Sequence, residues 1–170
     1  MAKMGMTDWF KGKFKKGFSS PTKYTVHTNP PGSDMKEWFC ESVTLPSRSL
    51  QAYSDMTYGT VKQYPYKSQF NDEIVMTIPL SANGYERAYF EEWMETMVDY
   101  GQQRANCTMI DLENWNLYIT VQNQANAAAG RFSVYGAYPS SIIPSNYGYG
   151  MQNEVAKLQV TFNYWKYYYF

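Results

Sequence analysis

The last strand-like stretch constrains the fold most. Ala156, Leu158, Val160, Phe162 and Tyr164 alternate strictly with Lys157, Gln159, Thr161 and Asn163. A period of two puts one set on a buried face and the other toward water, which is the signature of a half-buried antiparallel strand. The same alternation recurs upstream. Ile74, Met76, Ile78 and Leu80 oppose Glu73 and Thr77; Trp115, Leu117, Ile119 and Val121 oppose Asn116, Thr120 and Gln122. Shorter runs open at Tyr24–Val26 and Phe132–Val134, and another spans Trp38, Phe39, Cys40 and Val43 up to Leu45-Pro46. A short strand is also expected near Cys107–Asp111. The chain therefore reads as mainly β, an antiparallel β-sandwich or partly closed barrel.

One segment breaks the period. Tyr85, Tyr89, Trp93, Met97 and Tyr100 recur at helical spacing, widened by Ala88, Phe90 and Met94, and predict one flanking α-helix over about 84–100. Asn83 with Glu86 suggests a capping-box start, and Gly101 a left-handed residue just past the end. The opposite face carries Glu91, Glu92, Glu95 and Asp99 against Arg87, either a solvated face or a docking surface for a basic partner. Between Pro46 and Phe70 runs a long tyrosine-rich connection, whose weak alternation at Tyr58, Thr60, Lys62 and Tyr64 predicts an extended hairpin. Asn123–Gly130 reads as a hairpin tip, and Pro139–Gly150 as turn material.

Charge divides the 170 residues into a basic, aromatic arm (1–20) and a body (21–170). Up to Lys23 there are six lysines and one acid, Asp8, a charge of +5; since the whole chain carries 15 basic and 15 acidic residues, the remainder is −5. Such an arm is a solvated terminus or docks on an acidic surface. Phe10, Phe14 and Phe18 could also form one stripe of a short basic amphipathic helix, although Gly12 and Gly17 weaken it. No apolar run approaches the ~18 residues of a membrane span, and no secretory leader is expected.

Chemistry is sparse. His27 is the sole histidine, so any triad or dyad would depend on it; the two cysteines, Cys40 and Cys107, read as small buried apolar residues. No HExxH, CxxC, GxxxxGK[ST] or GxGxxG occurs, and the adjacent acids Asp72-Glu73 and Glu91-Glu92 diverge rather than converge on one bond. No catalytic, metal or cofactor residue is assigned, and no enzyme is expected. The aromatics lack the basic stripe of a nucleic-acid reader. Seventeen tyrosines, each with an apolar body and a polar tip, instead suit surfaces buried against protein.

In order and spacing the chain resembles the tail tube proteins of contractile-tailed bacteriophages, related in fold to type VI secretion tube proteins. The resemblance runs from Pro21 into Tyr24-Thr25-Val26, through Cys40 to Leu45-Pro46, and past a long loop to Phe70-Asn71-Asp72. It continues with Arg87, Phe90 and Trp93 on the helix, Gly136-Ala137-Tyr138-Pro139-Ser140, Asn153-Glu154-Val155, Thr161 and Tyr164-Trp165. Lys166–Phe170 extends beyond the family pattern. The resemblance implies a structural virion protein, assembled in the bacterial cytoplasm. Six copies would close into a ring and rings would stack into a tube, a conduit for DNA that passes without specific binding. The partners would be the sheath, baseplate and neck proteins, with no membrane involved. Candidate subunit or ring contacts are Phe10, Phe14, Phe18, Tyr53, Tyr58, Tyr64 and Tyr66; candidate sheath-docking residues are Glu91, Glu92, Glu95 and Asp99. A tube initiator or terminator, a baseplate ring protein and a glycan-binding sandwich are the rival readings.

Overall fold

The computed structural model describes residues 19–30, 34–56, 59–70, 73–102, 104–106, 114–144, 147 and 155–170. Two antiparallel sheets carry the core. The first holds five strands in the order β13(Lys166–Tyr169), β10(Ala128–Tyr135), β9(Asn116–Asn123), β1(Ser19–Asn29) and β2(Lys36–Trp38). The second holds β11(Tyr138–Pro144), β12(Lys157–Asn163), β6(Glu73–Pro79) and β3(Ser42–Val43). The sheets are not closed into a barrel; the molecule is a sandwich. Alternation decides which side of each strand is inside. Ile74, Met76, Leu158, Val160 and Phe162 are fully buried, as are Val26, Leu117, Ile119 and Val134 from the other sheet. Each such side chain stabilises the fold by about 1.5–3 kcal/mol when taken from water.

The helix α1(Tyr85–Met97) closes the sandwich with an aromatic plug. Phe90 meets Phe162 edge-on at 5.9 Å, and Trp93 meets Trp115 at 6.2 Å and Phe162 at 5.9 Å. Only the middle of the expected stripe is buried: Tyr89, Phe90 and Trp93 are inside, while Tyr85 and Tyr100 are exposed. The helix also ends earlier than expected, because Val98 is already extended (φ −136°, ψ 116°) and starts the short pair β7(Val98–Asp99) and β8(Arg104–Ala105). The expected left-handed residue is at the other terminus: Gly84, φ 65°, is the N-cap, whereas Gly101 is not left-handed. Glu86 does reach back, but to Ser81, accepting from its N–H (3.0 Å) and Oγ–H (2.6 Å).

Three further departures have local causes. The run Trp38–Val43 is not one strand. It leaves the first sheet after Trp38 and enters the second at Ser42, leaving Phe39 exposed at the crossing. Part of the stretch read as turn material, Tyr138–Pro144, is strand β11, an edge strand where Pro139 and Pro144 need donate no ladder hydrogen bond on the open side. The C-terminal extension is strand β13, paired with β10 from Phe132↔Tyr169 to Tyr135↔Lys166. Gly130 makes room for it, since a Cβ there would lie 2.4 Å from the Tyr169 hydroxyl. The expected tip at 123–130 is a hairpin turn: Asn123 Oδ1 accepts from the N–H groups of Ala125 and Ala127, and Asn126 takes φ 60°. The strand expected near Cys107–Asp111 lies outside the described residues.

Candidate assembly surfaces

The connection 46–70 folds into a third, separate sheet: β4(Arg48–Asp55) pairs with β5(Lys62–Phe70). Tyr53 faces Tyr64 directly, and Tyr66 is the extra residue where the register shifts between Gln51 and Ala52. The three rings, with Ala52 and Ser54, line a shallow open cleft of about 630 Å³. Polar contacts set its shape: Gln51 Nε2 donates to Gln69 Oε1 at 2.6 Å, and the Tyr66 hydroxyl donates to Gln51 Oε1 at 3.1 Å. At its base Phe70 meets Tyr167 edge-on at 5.6 Å, tying the hairpin to β13. Beyond that anchor the hairpin buries almost nothing. Tyr53 is 64%, Tyr64 52% and Tyr66 67% exposed, and Leu50, Met56 and Val61 are exposed with them. A two-stranded ribbon is marginal by itself in water, so this one carries apolar surface that it cannot bury internally. Tyr58, Phe10, Phe14 and Phe18, the other candidates for contacts, lie outside the described residues.

The structure divides the four acidic candidates. Glu91, Glu92 and Glu95 are exposed on α1, with Glu91 held by Arg87 at 2.7 Å. The hydrogen bond and charge of Glu91 push the Arg87 guanidinium above its ordinary value. Asp99 is not on the helix. It sits half-buried in β7, where its Oδ1 accepts from the N–H groups of Gly101 (2.7 Å) and Gln102 (3.2 Å) and so shapes the β7–β8 turn.

The side chains that could do chemistry are dispersed or occupied. His27 lies on β1, opposite Glu37 and Tyr118 in register. Cys40 donates to the Trp38 carbonyl at 3.7 Å, and burial pushes its thiol up to about 12, far from a reactive thiolate at neutral pH. Among the described residues no group of three or more His, Cys, Asp or Glu side chains could hold a metal ion, and no helix is long and apolar enough to cross a membrane.

Sequence reading missed a buried polar chain in the core. Trp38 Nε1 donates to Thr28 Oγ1 at 2.7 Å, and Thr28 Oγ1 meets the Tyr89 hydroxyl at 3.3 Å, joining β2, β1 and α1. On its outer side Lys36 Nζ contacts the Tyr85 hydroxyl and lies 4.3 Å from the centre of the Tyr89 ring. The one available signal was a Thr in phase with the apolar face of β1.

Two antiparallel sheets plugged by a helix, with exposed tyrosines on a separate hairpin, define the fold. Residues 12–170 match the phage tail tube protein family, and the chain belongs to it. Solved structures share the fold. A chain of the anti-feeding prophage baseplate superimposes with a TM-score of 0.68 at 12% identity, covering 90% of this chain and 97% of that one. A chain of the sheath/tube terminator of the extracellular contractile injection system PVC gives 0.62 at 14% identity, covering 87% and 93%. A chain of the PVC sheath-tube complex gives 0.61 at 15% identity, covering 89% and 90%. Comparison with curated proteins by sequence gives no match. The chain is thus a tube-type structural component of a phage tail, in a fold found in tube, terminator and baseplate assemblies alike.

Proposed function

We propose that the protein forms the inner tube of a contractile tail. Six copies close into a ring, rings stack, and DNA passes along the bore without specific binding; assembly takes place in the cytoplasm of the host bacterium. The observation that carries this reading is the β4–β5 hairpin, a ribbon with Tyr53, Tyr64 and Tyr66 exposed, whose burial requires a neighbour. A neighbouring ring supplies it. The basic, aromatic arm 1–20, opposite in charge to the body, adds a second contact between copies through Phe10, Phe14 and Phe18. Glu91, Glu92 and Glu95 on α1, with Asp99 at its end, dock a basic segment of the sheath. Such polar contacts fix register and release readily, as a sliding sheath requires. Baseplate and neck proteins meet the two ends.

A terminator or baseplate ring is the second reading, favoured by the exposed aromatic end Tyr168, Tyr169 and Phe170 at the edge of the five-stranded sheet. The family match runs through these residues, so the expectation that Lys166–Phe170 extends beyond the family pattern is corrected. Negative-stain microscopy of the purified protein separates the two. Tubes of stacked rings support the tube; rings that never stack support the terminator; featureless monomers at every concentration refute both.

A further inference from the structure

Asn83-Gly84 is the sole Asn-Gly step in the chain, and it lies in the turn that leads from β6 into α1. Asn83 is exposed, and a Cβ added at Gly84 would meet nothing within 4 Å. Gly84 therefore has neither a side chain nor a packed neighbour to shield its nitrogen from solvent base. That nitrogen is one ring closure away from the side-chain carbon of Asn83, so the pair can form a succinimide.

The amide oxygen is already held by donors. Asn83 Oδ1 accepts from the Ser81 hydroxyl at 2.5 Å and from the Tyr85 N–H at 3.4 Å. These two groups would face an oxyanion formed at Oδ1, the hydroxyl in contact and the N–H placed to tighten on it. Ser81 has a single hydroxyl proton, and Glu86 competes for it, since Glu86 Oε2 lies 2.6 Å from the same Oγ. The Gly84 N–H donates to the Ser81 carbonyl at 3.0 Å, a bond that must open before the nitrogen can attack. The turn thus restrains the nucleophile while its side chains prepare the electrophile.

We propose that Asn83 is a site of spontaneous deamidation assisted by the Ser81 hydroxyl. The Gly84 nitrogen gives its proton to hydroxide and attacks Cγ of Asn83. The N–Cγ bond forms, negative charge gathers on Oδ1 under the Ser81 and Tyr85 donors, and the Cγ–Nδ2 bond then breaks with Nδ2 leaving as ammonia. Water opens the succinimide at one carbonyl or the other, giving aspartate or isoaspartate; nothing is oxidised or reduced. Aspartate places a negative charge at the start of α1, where the helix dipole favours it. Isoaspartate routes the main chain through the former side-chain carbon and lengthens the turn before the helix. Either product adds a charge to the element that carries Glu91, Glu92 and Glu95.

The test follows residue 83 by peptide mass mapping, with isoaspartate counted by isoaspartyl methyltransferase labelling. Full-length folded protein is held at mildly alkaline pH beside the same protein unfolded in urea. The folded chain should gain acid at 83 ahead of its other asparagines. An amide that survives in the folded chain while the unfolded chain converts overturns the proposal, because the turn would then protect it. Two variants separate assistance from loosening. Ser81→Ala removes the donor and should slow the folded reaction several-fold, whereas Glu86→Gln weakens the competitor for the Ser81 proton and should speed it. Loosening of the turn alone would speed both, so an equal or faster rate in Ser81→Ala overturns the assistance by Ser81. If Ser81→Ala does not fold, a Glu86→Gln rate at or below that of the unmodified protein overturns it instead.

Discussion

Thr28 shows how much a single hydroxyl can hold. It is fully buried between the Trp38 indole and the Tyr89 phenol, serving as acceptor for the first and hydrogen-bond partner for the second. Thr28→Val keeps the shape but strands both partners, and a buried polar group left without its partner costs about 1–3 kcal/mol. The variant should unfold at lower denaturant by that amount, whereas Thr28→Ser should keep most of the stability. An unchanged midpoint for Thr28→Val would show that the hydroxyl contributes nothing. Cys40 supplies a pH signature. Burial raises its thiol from an ordinary 9.0 to about 12, so the folded state keeps a proton that the unfolded chain gives up. Burial also raises the Tyr24 hydroxyl, helped by Cys40 and Glu41 nearby, and the Tyr89 hydroxyl. Each contribution is fully present below the unfolded value and is lost as pH climbs through the folded one. Stability should therefore fall from about pH 9 toward 12, and Cys40→Ala should flatten the fall; a flat profile over that window in the unmodified protein would contradict this.

At the scale of elements, the hairpin and the helix make separable predictions. Tyr53→Ala with Tyr64→Ala removes rings exposed in the single chain, so the thermal midpoint should move little while tube formation is lost. Tubes of normal length from the double variant would leave the ribbon without an assembly role. Glu91→Lys with Glu95→Lys changes exposed charges while Phe90 and Trp93 stay in the core, so the fold and the bare tube should survive. Growth of sheath on these tubes should fail, and normal growth would mean that the face is merely solvated. Strands with one dry and one wet side were legible because alternation records burial directly, as in Glu73–Pro79 and Lys157–Asn163. β11 and β13 were not: the first is an edge strand beginning next to a proline, and the second is a run of tyrosines with no polar alternation. The helix was legible in its centre and overrun at its end, because Tyr100 repeats the helical spacing although the backbone is already extended at Val98. Of the candidate surfaces, the exposed tyrosine ribbon was legible as a long aromatic connection expected to form an extended hairpin. The position of Asp99 in a turn was not, since spacing alone puts it one helical turn beyond Glu95.

For the whole molecule, the proposed tube makes a prediction about DNA. Beyond Lys23 the chain carries nine basic and fourteen acidic residues, a net −5. Filter binding at ~0.15 M salt should show no tight retention of duplex DNA by the protein. Sub-micromolar binding would be incompatible with a conduit that must let its cargo leave. The arm belongs to this scale too, because the chain up to Lys23 carries +5 against −5 beyond it; removing residues 1–18 should leave a folded body that assembles poorly, and normal tubes would exclude the arm as an assembly element. Whether this chain stacks on itself through its tyrosine hairpin can be read from a cryo-electron-microscopy helical reconstruction of the assembled protein. Rings of six are expected, each with Tyr53, Tyr64 and Tyr66 buried against the next ring. A reconstruction in which those three rings stay open to solvent would contradict it.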